Sequence, residues 1–315
     1  MYYFIVNPQS RHGYGLKIWK KIEQQLKREG TEYRAFLTER PGQASEIADD
    51  LTRGRKEELT IVVVGGDGTF GEVLDGINFA GALTFGYIPA GRGNDLARSL
   101  RLPKSPARSL RRILHPRNYR YLDYGLVTYG EETLRHRRFM VSAGIGLDAA
   151  VCHSLLYEKS GFLRRHFPLP HRGYLTAGLW QLLKARPSKG YLLLDGTRKV
   201  EFNHIYFISA QIHPSEGGGF YFAPRTEPGD GKLTLCAVSQ AGKFSLLLLF
   251  LRTRLPIFRK KKGVRTYECR EALIHTEQPM AVHTDGESCQ YQNDLEIKGR
   301  AESEGSACRS RCSSS

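Results

Sequence analysis

A glycine-rich turn at residues 65–69 carries the strongest chemical signal in the sequence. It reads Gly-Gly-Asp-Gly-Thr and joins the apolar segment Ile61–Val64 to a segment with helical spacing. Glycines let a backbone turn sharply and let an anion approach it closely. A helix N-terminus adds free N–H groups and partial positive charge. The turn therefore predicts a phosphate site, with a tight turn capped by Thr69 as the structural alternative.

A second glycine-rich turn lies within residues 86–95, which read GYIPAGRGND. Turns at the carboxyl ends of parallel strands line one crevice, so both turns are predicted to face one ligand. Neither is a GxxxxGK[ST] loop or a GxGxxG fingerprint. The simpler alternative is that Asn94 and Asp95 cap a helix. Asp67 would repel a phosphate, so it is predicted either to act through a cation or to hold the loop by hydrogen bonds.

Two acids near the C-terminus offer acid–base chemistry, because Asp285 and Glu287 flank Gly286 at the end of an apolar segment. If the strand continues, residues two apart project to one face. One carboxylate could then hold Mg²⁺ or orient a hydroxyl, while the other accepts its proton. The alternative is a β-turn around Gly286 with two solvated acids.

Alternating strands and helices position the two glycine-rich turns. The predicted strands are Tyr2–Val6, Tyr33–Leu37, Leu59–Val64 and Thr84–Pro89, and the predicted helices are Leu16–Glu29, Gln43–Leu51, Thr69–Phe79 and Asp95–Leu100. This order predicts a doubly wound α/β domain with a parallel sheet. Trp19 and Trp180 lie in apolar helical patterns and are predicted to be packing residues.

The pattern changes near Tyr121, after which apolar runs are short and bounded by Gly, Pro and Asp. Such runs predict a mainly antiparallel sandwich or barrel, interrupted by a helical insertion at about residues 149–185. We therefore predict an α/β nucleotide-binding domain at 1–120 and a β-sandwich domain at 121–300. The small, polar segment 301–315 is predicted to be a disordered tail.

The charge of the chain is concentrated in two places. The 315 residues carry 47 Lys and Arg against 32 Asp and Glu, a net charge of +15. Ala97–Arg120 and Lys243–Arg265 each hold eight basic residues and no acidic one, which leaves the rest close to neutral. Such patches predict a polyanionic partner, either nucleic acid, nucleotide phosphate or an anionic membrane.

Other sequence features exclude several classes of protein. No apolar run approaches the ~18 residues of a spanning helix, and the N-terminus lacks the pattern of a signal peptide. The six cysteines form no CxxC pair, which favours a reduced, cytoplasmic protein. No recognition helix, RNP-type motif or zinc finger supports nucleic-acid binding.

Six motifs in order along residues 5–287 resemble the lipid kinase family of diacylglycerol and sphingosine kinases, especially its soluble bacterial members. They are Asn7-Pro8, GGDGT at 65–69, IPAGRGNDLAR at 88–98, GGGFYFAP at 217–224, Asp230-Gly231 and TDGE at 284–287. The GGDGT turn alone is less specific, because NAD kinases and phosphofructokinases carry similar turns.

The resemblance implies an ATP site between the two domains and a function as an ATP- and Mg²⁺-dependent kinase of diacylglycerol or a related lipid alcohol. Glu287 would be the general base, with Asp285 beside it. Glu227, Asp230 and the backbone of Lys232 would hold a structural Mg²⁺, with a plain hairpin turn as the alternative, and Asp67 is a further candidate metal ligand. The candidate ATP-binding residues are Asn7, Pro8, Gln9, Ser10, Arg11, Thr38, Gly65, Gly66, Asp67, Gly68, Thr69, Phe70, Gly71, Glu72, Arg92, Gly93 and Asn94.

Three positions depart from the family pattern. Arg92 stands where Thr or Ser is usual, Arg11 where Gly is usual, and Ser142 where Asn is usual. Two alternatives are therefore kept, namely a soluble-substrate kinase of the NAD kinase type and a catalytically impaired membrane- or nucleotide-binding homologue.

A lipid substrate stays in the bilayer, so we predict a cytoplasmic protein that associates peripherally with an anionic membrane. Lys243–Arg265 combines an apolar cluster with dense positive charge, as membrane-surface segments do, and Ala97–Arg120 is a second candidate. A core helix that ends in a solvated basic loop is the alternative for Lys243–Arg265. No nucleic-acid partner is predicted, and a homodimer is left open.

Overall fold

The computed structural model describes residues 1–78, 81–157, 172–240, 242–253, 263–300 and 311–314. The chain forms two compact units. The first holds Met1–Asp123 and a C-terminal strand, and the second holds Tyr124–Arg300.

The first unit is an α/β domain built on a six-stranded sheet. Its strands are β1 (Tyr2–Val6), β2 (Tyr33–Leu37), β3 (Leu59–Gly65), β4 (Leu83–Pro89), β5 (Asn118–Tyr121) and the C-terminal β15 (Arg311–Ser314), and its helices are α1 (Ser10–Arg28), α2 (Gln43–Thr52), α3 (Asp67–Gly76), α4 (Asp95–Ser99) and α5 (Pro106–Leu114). The sheet order is β2-β1-β3-β4-β15-β5. Strands β1 to β4 are parallel, which confirms the predicted α/β fold.

Helices cover both faces of this parallel sheet. On one face, Phe4 of β1 packs with Trp19 of α1, as predicted for that tryptophan, and both are buried. On the other face, the ring of Phe70 in α3 lies 5.2 Å from those of Phe85 and Tyr87 in β4. A strand buried on both faces must be apolar throughout, which is why β3 reads LTIVVVG.

The C-terminal strand β15 differs from the predicted disordered tail. It pairs in parallel with β4 and antiparallel with β5, so it occupies the place between them. Residues 301–310 and 315 lie outside the described residues. A strand such as β4 has unpaired backbone groups on its open side, which another segment can join.

The second unit is an antiparallel β domain, as predicted. Its strands are β6 (Tyr124–Tyr129), β7 (Arg135–Phe139), β8 (Ser142–Gly146), β9 (Ser188–Leu194), β10 (Arg198–Gln211), β11 (Leu233–Ser239), β12 (Val264–Cys269), β13 (Glu271–Thr284) and β14 (Glu287–Arg300). The sheet order is β12-β11-β10-β8-β13-β14-β6-β7, and β9 pairs with both β10 and β13.

The described part of the second unit also contains the helices α6 (Leu147–Tyr157), α7 (Arg172–Lys184) and α8 (Lys243–Arg252). The second lies within the predicted helical insertion, and the first begins two residues before it. The second half of Lys243–Arg265 is mostly outside the described residues, including Lys260–Lys262. No helix in the described ranges has both the length and the apolar character needed to cross a bilayer.

The central strands of the second unit have one apolar face and one face that is only partly apolar. Ile145 of β8 lies opposite Ile208 of β10 and Val282 of β13, and all three are fully buried in the main core. The neighbouring position, Gly144, lies opposite Ser209 and His283. Because successive residues point to opposite faces, the face behind this core carries a buried polar stripe.

Acid sensitivity of the second unit is predicted from His213, which follows β10. The side chain is fully buried, and burial lowers its pKa to about 3. An unfolded histidine titrates near pH 6.5, so below that pH the unfolded chain binds a proton that the folded chain does not. Stability conferred by neutral His213 is therefore complete at higher pH and falls as the pH drops below about 6.5.

Between about pH 6.5 and 4.5, we expect the free energy of unfolding of the wild type to fall by up to about 1.4 kcal/mol per pH unit more than that of His213→Gln. Urea unfolding at a series of pH values measures both slopes. His136→Gln is the control, because His136 is exposed. Equal slopes for the wild type and His213→Gln would contradict the prediction.

Candidate functional site

The predicted nucleotide residues of the first unit follow the carboxyl ends of adjacent parallel strands. Asn7 follows β1, Thr38 follows β2, Gly66 follows β3 and the Gly91 turn follows β4. The sheet order changes direction between β1 and β3, and ligands of open α/β sheets bind at such switch points. The fold thus gathers residues that are far apart in sequence along one edge.

Asn7 links two of these strand ends. Its side-chain Nδ2 donates to Thr69 Oγ1 at 3.0 Å, and its Oδ1 accepts the backbone N–H of Gln9 at 3.0 Å. The side chain therefore holds the loop after β1 against the start of α3. This places Asn7 and Thr69 together, as their assignment to one site requires.

The turns after β3 and β4 touch through their backbones. The Ala90 N–H donates to the Gly65 carbonyl at 2.6 Å. A Cβ built on Gly91 would lie 2.5 Å from the Gly66 Cα, and one built on Gly65 would lie 2.6 Å from the Thr69 Cβ. A side chain at Gly91 would push the two turns apart, and one at Gly65 would collide with Thr69 at the start of α3. The result is a bare backbone surface beside a helix N-terminus. Such a surface fits phosphate oxygens.

Asp67 hydrogen-bonds to the turn after β4. Its two carboxylate oxygens accept the N–H groups of Asp95 and Leu96 at 2.9 and 3.2 Å. Burial, and next the neighbouring Asp95 carboxylate, raise the pKa of Asp67 to about 6. Of the two roles predicted for Asp67, the described contacts are those of a residue that holds the loop.

Cationic side chains lie beside the glycine surface. The exposed Arg92 guanidinium contacts the His12 ring, and Arg11 is also exposed. Arg11, His12 and Gly13 all have left-handed backbone angles, with φ of 49°, 56° and 83°, so the regular part of α1 begins after them. Asn94 closes its own turn, since Oδ1 accepts the Gly91 N–H at 2.9 Å. Cationic donors next to bare backbone suit a polyphosphate.

Not every predicted nucleotide residue can present its side chain to a ligand. Phe70 packs in the core against Phe85 and Tyr87, and Thr38 is buried after β2. The other candidates lie in the loop and first turn after β1, the first turns of α3 or the turn before α4, namely Pro8, Gln9, Ser10, Gly68, Gly71, Glu72 and Gly93.

In the second unit, Asp285 and Gly286 form a two-residue hairpin turn between β13 and β14. Thr284 pairs with Glu287 across it, and φ is 48° at Asp285 and 86° at Gly286. Positive φ at both central residues defines a type I′ turn, for which Asp-Gly is a favoured pair. The strand does not continue, so the expectation that Asp285 and Glu287 share one strand face is wrong.

Asp285 and Glu287 differ in what their carboxylates contact. The Asp285 carboxylate accepts the N–H groups of Met140 and Val141 at 2.8 Å and of Ser142 at 3.1 Å. Glu287 is half-buried, and its carboxylate has no hydrogen bond or ion pair with any described residue. Asp285 therefore holds the turn in place, and Glu287 is the carboxylate available for chemistry.

The loop predicted to hold a structural Mg²⁺ is a tight turn. Asp230 Oδ1 accepts the N–H of Lys232 at 2.9 Å, and Gly229 and Gly231 flank it with positive φ. Glu227 and Asp230 are both exposed. These contacts are those of the hairpin alternative, and the Mg²⁺ site stays a prediction.

A buried cluster of Asp148, Glu216 and His283 was not predicted from the sequence. One carboxylate oxygen of each acid and one ring nitrogen of His283 lie within 4.8 Å of one another. Asp148 follows β8, Glu216 follows β10, and His283 precedes the TDGE turn. No spacing in the sequence links them, because strand pairing alone brings them together.

The close approach of the two glycine turns gives a direct test of the first unit. Gly91→Ala should reduce the free energy of unfolding by about 1–3 kcal/mol, because its methyl group would displace the Gly66 backbone. Urea unfolding measures the effect.

Gly242→Ala is the matched control, since a Cβ there meets nothing within 4 Å and the backbone has an ordinary φ of −73°. Wild-type stability of Gly91→Ala would show that the two turns are not in close contact.

The chain is similar to known proteins, among them two relatives and one solved structure. The chain is 28% identical over 292 residues to "Putative lipid kinase YtlR" of Bacillus subtilis, covering 91% of this chain and 93% of that protein. It is 27% identical over 290 residues to "Diacylglycerol kinase" of Mycobacterium tuberculosis, covering 90% and 87%. The fold is similar, with a TM-score of 0.74 and 20% identity over 100% and 96% of the chains, to "Crystal structure of a putative diacylglycerol kinase from Bacillus anthracis str. Sterne".

Two family profiles match the chain in succession. The diacylglycerol kinase catalytic domain matches residues 1–126, and the YegS C-terminal NAD kinase beta sandwich-like domain matches residues 141–294. The first match contains both glycine turns, and the second contains the Asp285–Glu287 hairpin. The resemblance seen in the sequence motifs is therefore confirmed, and the chain belongs to the diacylglycerol kinase-like family of lipid kinases.

Proposed function

We propose that the protein transfers the γ-phosphoryl group of ATP, with Mg²⁺, to the hydroxyl of diacylglycerol or a related lipid alcohol. The observation that carries the proposal is the state of Glu287. This carboxylate has no partner among the described residues, and it directly follows a turn that Asp285 fixes with three hydrogen bonds. A base needs such a free, well-positioned carboxylate.

The first unit supplies groups that suit the nucleotide. The backbone around Gly66 and Gly91 would receive phosphate oxygens, and Arg92 would add positive charge beside them. Phosphoryl transfer depends on positioning and charge stabilisation. Mg²⁺ would neutralise charge that develops on the phosphates. The presence of Arg92 in place of the usual Thr or Ser thus supports phosphate binding by charge.

Glu287 would take the proton in the transfer step. As the acceptor oxygen forms its bond to the γ-phosphorus, the hydroxyl proton passes to the Glu287 carboxylate. The bond between the γ-phosphorus and the bridging oxygen breaks, and ADP leaves with that oxygen. Asp285 takes no part in proton transfer because its oxygens accept three backbone N–H groups.

Access to a lipid substrate is supported by an exposed apolar surface on α7 and α8. This two-helix patch consists of Leu179, Trp180, Leu183, Phe244, Leu248 and Leu251. The prediction that Trp180 packs in a core is wrong, because its side chain is 56% exposed. The two helices are joined at Lys243, whose Nζ donates to the Leu183 carbonyl at 2.6 Å.

Basic side chains accompany the two-helix patch. Lys184 lies over the Trp180 ring at 4.5 Å, and Lys243 and Arg252 on α8 are exposed. Apolar and aromatic tips surrounded by positive charge suit the interface of an anionic bilayer, where each base contributes about 1 kcal/mol. We therefore propose that the protein binds such membranes peripherally through this patch.

Replacement of Glu287 tests the proposed chemistry. Glu287→Gln should lower kcat by at least about 100-fold, because the amide cannot accept the hydroxyl proton, while the melting temperature is unchanged. The assay follows labelled ATP and Mg²⁺ with diacylglycerol in mixed micelles, and in parallel with NAD. Label in the lipid phase is the expected result for the wild type.

Glu296→Gln is the control on the same strand, since the Glu296 side chain is 42% exposed and pairs with Lys298. Full activity of Glu287→Gln would rule out its role as base. Label in NADP would favour the NAD kinase alternative, and label in neither acceptor would favour a catalytically impaired homologue.

Replacement of apolar tips tests the proposed membrane contact. The double variant Trp180→Glu/Phe244→Glu should bind phosphatidylglycerol vesicles at least about tenfold more weakly than the wild type. It inserts less apolar area into the bilayer, and its two new carboxylates are repelled by the anionic lipid. Vesicle sedimentation at several salt concentrations measures this.

Leu134→Glu is the control, because Leu134 is similarly exposed but lies on the hairpin between β6 and β7. Unchanged vesicle binding by the double variant would refute the proposal that the two-helix patch contacts the membrane. Binding of the wild type to duplex DNA and not to vesicles would instead favour a nucleic-acid partner.

A further inference from the structure

A buried polar cluster adjoins the hairpin turn that precedes Glu287. His283 lies near the end of β13, next to the hairpin turn, and pairs with Gly144 of β8. Asp148 of α6 and Glu216 join His283 on this face, and each of the three side chains is at most 4% exposed. Burial of charged groups is costly unless they are paired. The contacts among these three side chains therefore matter for the stability of the unit.

The three side chains direct polar atoms at one another. Asp148 Oδ1 accepts the Ala149 N–H at 2.8 Å, and its Oδ2 lies 3.5 Å from His283 Nε2. Glu216 Oε2 accepts from Gln211 Nε2 at 2.8 Å. Gly144 leaves the space for this cluster, because a Cβ there would lie 2.0 Å from Asp148 Oδ2.

The other ring nitrogen of His283 contacts the hairpin turn. Its Nδ1 accepts the backbone N–H of Gly286 at 3.3 Å. In a neutral imidazole one nitrogen accepts and the other carries the proton, so the proton lies on Nε2 and faces the two carboxylates. The turn thereby contacts the ring at Nδ1, while Nε2 faces Asp148 Oδ2 at 3.5 Å.

This protonation state argues against a metal ion in the cluster. A metal would need the lone pair of Nε2, and the proton would then move to Nδ1, where it would face the Gly286 N–H. Metal-bound histidines instead donate their second N–H to an acceptor. Burial lowers the pKa of His283 and the Asp148 and Glu216 carboxylates raise it, with a net rise, but an imidazolium would meet the same clash at Gly286.

We propose that His283 is a positioning residue for Glu287, held by Asp148 and Glu216 and acting on the hairpin turn through the Gly286 N–H. The proposal rests on the proposed function, in which Glu287 is the base. The Asp285 carboxylate fixes one side of the turn through the 140–142 backbone, and His283 fixes the other. Misplacement of a catalytic group by about 1 Å can cost about 100-fold in rate, so a two-residue turn next to the base benefits from both tethers.

Two substitutions of His283 separate the contributions of its two ring nitrogens. In His283→Asn, the side-chain oxygen can replace Nδ1 as acceptor for Gly286. In His283→Gln, the longer amide can reach toward Asp148 but loses the acceptor at the Nδ1 position. His275→Gln on the same strand is the control, because His275 pairs with Asp294 away from the turn.

Hydrogen exchange of the Gly286 amide tests the tether without reference to activity. Exchange should be about tenfold faster in His283→Gln than in the wild type, as expected for loss of one hydrogen bond, and slower in His283→Asn than in His283→Gln. Equal exchange in the wild type and His283→Gln would overturn the proposal, even if the protein proved not to be a kinase.

Kinetics with ATP and the lipid acceptor test the consequence. His283→Gln should lower kcat by about tenfold or more with little change in the KM for ATP, and His283→Asn should recover part of kcat. A parallel fall of kcat and melting temperature in both variants would indicate a merely structural role and overturn the proposal. One equivalent of Mn²⁺ or Zn²⁺ bound by the wild type and lost in His283→Asn would overturn it in favour of a metal site.

Discussion

A carboxylate that is partly withdrawn from water must be met by hydrogen-bond donors, and in both units backbone amides meet that requirement. Asp67 of the glycine turn accepts the N–H groups of Asp95 and Leu96. Asp285 of the hairpin accepts those of residues 140–142. Each acid joins two loops that are distant in sequence, so the most recognisable acids of the motifs organise the backbone. Glu287 is left as the carboxylate without a partner among the described residues.

In the first unit, glycine allows two turns to approach each other closely. Gly66 and Gly91 lie so close that neither position tolerates a Cβ without displacement of the other turn. Four parallel strands bring these turns, Asn7 and Thr38 to one edge of the sheet. The bare backbone there and the cations beside it suit a polyphosphate, which is consistent with membership of a kinase family.

The second unit combines two surfaces of opposite character. Behind its main core, the polar stripe of Gly144, Ser209 and His283 ends at the hairpin next to Glu287. On α7 and α8, by contrast, apolar side chains such as that of Trp180 are exposed. Buried polar groups and exposed apolar groups both oppose stability, and both are consistent with the proposed catalysis and lipid access.

Much of the first unit could be predicted locally, because hydrophobic periodicity and glycine turns are properties of neighbouring residues. The strands Tyr2–Val6 and Tyr33–Leu37 have the predicted bounds. The role of Asp285 could not be predicted, because its partners lie 143 to 145 residues away. The exposure of Trp180, the strand Arg311–Ser314 and the buried cluster around His283 likewise depend on which surfaces the folded chain brings together. Local sequence patterns indicate which face of a helix or strand is apolar. Long-range pairing decides which residues that face and its polar neighbours contact.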